Sequence, residues 1–277
     1  AKQSRSLGRL LPNLFEIPRP LDVEPTQPLP RDAWFDDIQV MVARDQGGTA
    51  EGLFVAAKGG HNSESHNHND VGNIIVYVDG KPLIVDAGVE TYRRKTFSPQ
   101  RYEIWTMQSA YHTLLPTVDE VMQAPGSDFK AGDVKYKAGD DQVTYVVEVS
   151  DAYPDEAELE RWQRTLTIDR GESLVIEDVY EFGTAPNTLT MSLLTPCEVE
   201  VESESVVFKP TTFGPEDVER QSAAGKLTFD DVLNVDVEEV PITDDRLGGV
   251  WGEHLNRVVF EIENPSRKGR WAWTITS

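Results

Sequence analysis

From Trp34 to the C-terminus, apolar and polar positions alternate in short runs separated by Gly, Asp and Pro. "FDDIQVMVARD", "GLFVAAKGG", "NIIVYVDGKPLIVDAG", "VTYVVEVSDAY" and "RTLTIDRGESLVIEDVYEF" come first, and "NTLTMSLLTPCEVEVESESVVFKP", "KLTFDDV", "RVVFEIE" and "GRWAWTIT" follow. Val, Ile, Thr, Tyr and Phe dominate them, and a period of two is the signature of a strand with one face buried. "VYVDGKPLIV" predicts a hairpin turning at Asp79-Gly80, and "LTIDRGESLVIED" one turning at Asp169-Arg170-Gly171. Helical periodicity is nearly absent after residue 35. Many short strands with turn signals and few helices predict an all-β fold, a large antiparallel β-sandwich of two or more stacked sheets over residues 35–277. Trp162, Trp251, Trp271 and Trp273 fall in or beside these runs and are expected in the core.

Residues 1–34 have a different texture. Six of the 17 prolines lie there, which suits an extended linker. Leu7, Leu10, Leu11 and Leu14 suit the end of a helix belonging to a preceding domain. The chain starts without Met, so a piece of something longer is expected.

Composition narrows the function. With 26 Lys+Arg against 48 Asp+Glu the formal charge is −22, a field that argues against nucleic acid or an anionic membrane as a general partner. No apolar run approaches the ~18–20 residues of a membrane span. Cys197 is the single cysteine, so neither an internal disulfide nor a thiolate metal cluster can form, and a small core residue is expected there.

Against that background "HNSESHNHND", residues 61 to 70, stands out, because it holds three of the five histidines. With Asp79-Gly80 at the turn, Val78 pairs with Lys81 and Asp86 comes opposite Asn73. Were the strand simply extended, His68 would lie roughly 16 Å beyond that pair, at about 3.3 Å per residue. A ligand pair of His68 and Asp86 therefore requires the loop to fold back over the strand ends. Gly59, Gly60 and Gly72 supply freedom for that. His112, in "MQSAYHTLL", offers a third donor. Two histidines and a carboxylate are a set that zinc takes while keeping one position open. The gaps of 18 and 26 residues match no short metal motif, and a polar loop whose histidines cap turns fits the same residues.

"SHNHNDVGNIIVYVDGKPLIVDAG" followed by "SPQRYEIWTMQSAYHT" resembles the heparinase II/III-like family of polysaccharide lyases. The shared features are the His-x-His element, the strand pair ending in Asp-x-Gly and the later Tyr-His. The resemblance is dense over about residues 50 to 125 and looser in "LERWQRTLTIDRGESLVIEDVYEF" and "WGEHLNRVVF". It implies one zinc ion on His68, Asp86 and His112, with His66 at the catalytic cleft. It also implies an N-terminal α/α toroid as the partner domain, supplying a Tyr acid/base and an Asn or His that neutralises a uronate. No long helical region is present in these 277 residues, so this chain corresponds to the C-terminal domain, inactive or nearly so on its own. The implied reaction is β-elimination on an acidic polysaccharide or oligosaccharide.

A polyanionic substrate conflicts with the net charge, and "TYRRKTFSPQR" offers a local remedy. Arg93, Arg94, Lys95 and Arg101 fall between two proposed zinc ligands, and Arg suits bidentate carboxylate or sulfate contacts. A solvated basic loop fits the run equally well. Tyr92, Tyr102 and Trp105 would stack on sugars or fill core, with core the expectation for Trp105. His61 is expected to be a bystander and His254 structural. "FDDVLNVDVEEVPITDD" reads as a solvated face, with a carboxylate calcium site as the alternative. Two other functions compete: a carbohydrate-binding or scaffold module with a structural metal, and a zinc hydrolase with Glu64 or Glu90 as base.

Overall fold

The structure is a computed structural model that describes residues 29–215, 218–229 and 234–277. The linker and helix-end readings for residues 1–28 lie outside the described residues. Three sheets carry the architecture. The first has five antiparallel strands, Asp32–Phe35, Val40–Arg44, Leu53–Lys58, Ile74–Val78 and Lys81–Ile84, in that spatial order. A second, four-stranded sheet places Thr188–Thr195 between Thr117–Val118 and His254–Glu263, with Asn234–Pro241 at its far edge. A bridge between Val85 and Leu194 joins these two. The third has eight strands, with Ser173–Phe182 near its middle between Leu159–Asp169 and Lys268–Thr276.

Period-two patterning decides which face is buried. In the eight-stranded sheet Val143, Tyr145, Val147, Trp162, Leu166, Ile168, Leu174, Ile176 and Phe182 point inward. Val55, Val76, Met191 and Phe260 meet them from the other two sheets in one continuous core. The large antiparallel sandwich is therefore present as the alternation predicts. Trp162 and Trp273 are fully buried, Trp251 and Trp271 nearly so, and Cys197 is buried. His254 lies on the surface, 3.9 Å from Glu239. No helix among the described residues is long and apolar enough to cross a membrane.

Two details set up the site. At the predicted turn Asp79 and Gly80 both have positive φ, 50° and 72°, as a tight hairpin turn of this kind needs. Val78 faces Lys81 and Tyr77 faces Pro82 as predicted, but a bulge then shifts the register by one, so that Val76 faces Ile84. The other hairpin pairs Asp169 with Ser173, which moves its loop one residue on, to residues 170–172. The first strand, Asp32–Phe35, starts two residues before Trp34, where the sequence texture changes.

Candidate functional site

Three segments converge at one end of the five-stranded sheet. The loop after His61–Asn62 carries His66 and His68, the end of Lys81–Ile84 runs on to Asp86, and a chain of short 3-10 turns between residues 95 and 111 delivers His112. The loop folds back as the register argument requires. One donor atom from each of His68, Asp86 and His112 lies within 4.8 Å of the others.

Gln123 fixes this fold-back in the manner of a surrogate strand. Its Oε1 accepts from Val71 N (3.1 Å) and Asn62 Nδ2 (3.1 Å), while its Nε2 donates to Val71 O (2.8 Å). Lys58 clips the same loop through Asp70 (2.8 Å) and Glu64 (3.3 Å). Gly60 and Gly72 have φ of 73° and 86°, so they serve the turn by a left-handed backbone rather than by mobility. Asn73 Nδ2 donates to Asp86 Oδ2 (3.0 Å), and its Oδ1 accepts from Thr113 N (2.9 Å), tying the Asp86 and His112 segments together. The Gly88 amide completes the hold on Asp86 Oδ1 at 2.7 Å.

His112 is only 2% exposed. Its Nδ1 lies 3.0 Å from Asp86 Oδ2, but neither ring nitrogen has a partner in hydrogen-bond geometry. A buried polar atom left unpaired costs free energy, so a buried imidazole in this state needs a reason. A cation between His112, Asp86 and His68 would provide it, and the donor set suits zinc. The three side chains thus fit the metal that the resemblance implies. Electrostatics within the trio is consistent. Burial pushes the Asp86 carboxyl up, but the two imidazoles overturn this and hold it well below the usual carboxylate range. Burial pulls both imidazoles down; Asp86 reverses this for His112, which ends raised, while His68 stays lowered.

His66 is exposed beside this group, with a φ of 62°. Its Nδ1 is 3.0 Å from Tyr92 Oη, and the two rings stack with planes 8° apart. Tyr92 also packs edge-on to Phe97. Arg246, on the helix Asp245–Trp251, sets its guanidinium 5.6 Å from the Tyr92 ring centroid. Neither Arg246 nor Arg94 forms an ion pair among the described residues. An open depression bordered by Glu64, His66, Asn67, Arg101 and Tyr102 lies alongside.

The basic run divides by environment. Arg101 donates to Asn67 O (2.6 and 2.9 Å) and Thr96 O (2.8 Å), so it fastens the segment between His66 and His68 while bordering the depression. Arg93 pairs with Asp244 at 3.3 Å and Lys95 with Glu103 at 3.0 Å. Arg94 remains exposed. Tyr102 Oη accepts from Asn67 Nδ2 at 3.2 Å, and Trp105 packs on Tyr111 at the edge of the smaller core cluster. Glu64 is occupied by Lys58, and Glu90 borders a separate depression with Arg93 and Lys95. His61 accepts locally from Ser63 N. Sequence reasoning missed Gln123, Lys58 and Arg246, whose roles depend on long-range contacts. Asn73 was within its reach, since the hairpin register already set it against Asp86.

The profile described as "Heparinase II/III-like, C-terminal" matches residues 27–230. Among solved structures, heparan sulfate lyase HepC from Pedobacter heparinus superposes with a TM-score of 0.69 at 14% identity, covering 96% of this chain and 40% of that one. A crystal structure of heparinase III gives 0.65 at 16% identity, over 90% and 37%. A further heparinase III gene product gives 0.67 at 15% identity, over 96% and 39%. The chain thus spans about two-fifths of the proteins it matches. At such identities these structures speak to the fold alone. No curated protein sequence matches significantly. The family profile, however, covers most of the chain together with the His-x-His loop, the strand-end Asp and the later His, and this chain belongs to the heparinase II/III-like family, of which it carries the C-terminal domain.

Proposed function

We propose that this chain is the zinc-binding sandwich of a polysaccharide lyase that cleaves uronate-containing glycans by β-elimination, and that it has little or no activity without an N-terminal helical toroid. The observation that carries the reading is the His68–Asp86–His112 group with its unpartnered buried imidazole, in a chain of this family. His68, Asp86 and His112 would hold zinc, whose charge would stiffen and neutralise the cleft wall; elimination requires no metal-activated water.

The chain's own contribution to chemistry centres on His66. Removing the proton next to a uronate carboxylate builds negative charge beside an existing one, so that carboxylate must be neutralised. His66 as imidazolium would serve that purpose. As neutral imidazole with Nδ1–H donated to Tyr92 Oη, it would present Nε2 as a proton acceptor. Stacking on Tyr92 holds the ring in one plane in both cases. Arg94 and Arg246 would contact carboxylate or sulfate groups of the sugar, and Arg93 and Arg101 would shape the loop behind them. The occupied carboxylate of Glu64 weighs against hydrolysis, which needs a free general base near the metal.

The test has two arms. Metal analysis should find about one zinc per chain, reduced at least tenfold by His68→Ala or His112→Ala; a wild type without zinc ends the metal assignment. Joined to a helical domain of the family, the chain should release products with unsaturated-uronide ultraviolet absorbance. Hydrolysis of neutral glycans without that absorbance would overturn the lyase reading.

A further inference from the structure

Arg164 and Asp178 face each other on the adjacent strands Leu159–Asp169 and Ser173–Phe182, and both are fully buried in the core face of the eight-stranded sheet. Nε and Nη2 of Arg164 each donate to one Asp178 oxygen at 2.8 Å. The remaining donors leave the pair and cross the sandwich. Nη1 reaches Gly72 O (3.1 Å) and Thr113 O (3.0 Å), and Nη2 reaches Leu114 O. All five N–H groups of the guanidinium are thereby used.

A buried ion pair is a poor source of stability, since apolar residues of similar shape often do as well or better. What the pair accomplishes here lies in the three carbonyls. Gly72 immediately precedes Asn73, the side chain that orients Asp86. Thr113 and Leu114 immediately follow His112. Leu114 has a φ of 56°, a conformation that a buried, γ-branched residue holds only when its surroundings impose it. Lys would not substitute, because its point charge cannot span an acid and three carbonyls in fixed directions.

We propose that Arg164, braced by Asp178, is a positioning residue for the metal centre: from the opposite sheet it locks the backbone on either side of the Asn73 side chain that ties Asp86 to Thr113, the residue after His112. This rests on the reading of His68, Asp86 and His112 as zinc ligands. It assigns no contact with substrate to Arg164.

Zinc affinity of this chain, measured by competition with a chromophoric chelator, tests the inference together with the visible spectrum of the cobalt(II)-substituted protein. Arg164→Lys should weaken zinc ten- to a hundredfold and alter the cobalt spectrum. Asp178→Asn leaves the three carbonyl bonds in place, so it should lower the unfolding midpoint while changing zinc affinity less than threefold. If Arg164→Lys does not fold, the double variant Arg164→Met/Asp178→Leu replaces it, with the same expected loss of affinity. Zinc binding and a cobalt spectrum equal to wild type in the folded Arg164 variant would overturn the positioning role and leave the metal assignment standing. A wild type that binds no zinc would defeat both, and the wild-type titration alone distinguishes the two failures.

Discussion

Asp244 is buried at the N-cap of the helix Asp245–Trp251, and its carboxylate joins that helix to the Thr91–Arg93 segment. Oδ1 accepts from the amides of Arg246 (3.0 Å) and Leu247 (3.3 Å), which caps the helix, and from Thr91 N (3.0 Å) across the molecule. Oδ2 accepts from Arg93 at 3.3 Å. One residue thus aligns the Tyr92 segment with the helix that carries Arg246. Burial pushes its carboxyl up, but these amides overturn that and leave its pKa lowered. Asp244→Ala should cost about 1–2 kcal/mol, the usual value of an N-cap. The sign of the pH effect follows from the lowered pKa. The contribution is complete above the unfolded value of about 3.9 and disappears as pH falls through the folded value. Urea unfolding of wild type and variant should therefore differ by the full amount above about pH 4 and converge as pH falls through the lowered folded value. A difference that stays constant over that range would detach the cap from folding.

The loops around the proposed metal centre behave as built elements, and their glycines show which constraints matter. A Cβ at Gly72 would meet Val149 Cγ2 at 2.9 Å, besides the cost of a φ of 86°. Gly88 has a similar φ of 81°, but open space where a Cβ would go. Gly88→Ala should cost about 1 kcal/mol from backbone conformation alone. Gly72→Ala adds overpacking and should cost about 2–4 kcal/mol. Chemical denaturation of the two variants checks the contrast, and equal losses would remove the packing argument. The same elements show what a sequence can reveal. The Asp79-Gly80 turn sets a register from which the fold-back needed to bring His68 to Asp86 was legible, whereas the choice of these residues as ligands came from the family resemblance. The bulge that shifts Val76 onto Ile84 was not legible, since nothing local marks it. Arg164 and Asp178 did leave a trace. They fall in phase with Trp162, Leu166 and Ile168 and with Leu174, Ile176 and Tyr180, so each interrupts an inward-facing apolar row. Alternation exposes such an interruption but not its partners, which lie 51 and 92 residues away at Thr113 and Gly72.

At the scale of the whole molecule, a charge of −22 opposes the acidic glycan that the cleft is proposed to take. The conflict has a length scale. At about 0.01 M salt the Debye length is ~30 Å, so an approaching polyanion feels the entire domain; at about 0.1 M it is ~10 Å, and only charges near the contact count. Arg246 lies over the Tyr92 ring that stacks on His66, and Arg94 follows two residues after Tyr92. Neither has an ion-pair partner among the described residues, so the contacts proposed for them would be attractive while the global field is repulsive. Binding of a labelled acidic oligosaccharide, followed by fluorescence anisotropy, should accordingly pass through a maximum with salt. Screening of the distant acids raises affinity from about 0.01 to 0.1 M, and screening of the arginine contacts lowers it again toward 1 M. Arg94→Gln/Arg246→Gln should reduce affinity at that maximum roughly tenfold or more, the loss of at least one charge-assisted hydrogen bond. Because both arginines are exposed, the fold should survive the change intact. A monotonic decline with salt, or a double variant that binds like wild type, would place the anion contacts elsewhere on the molecule.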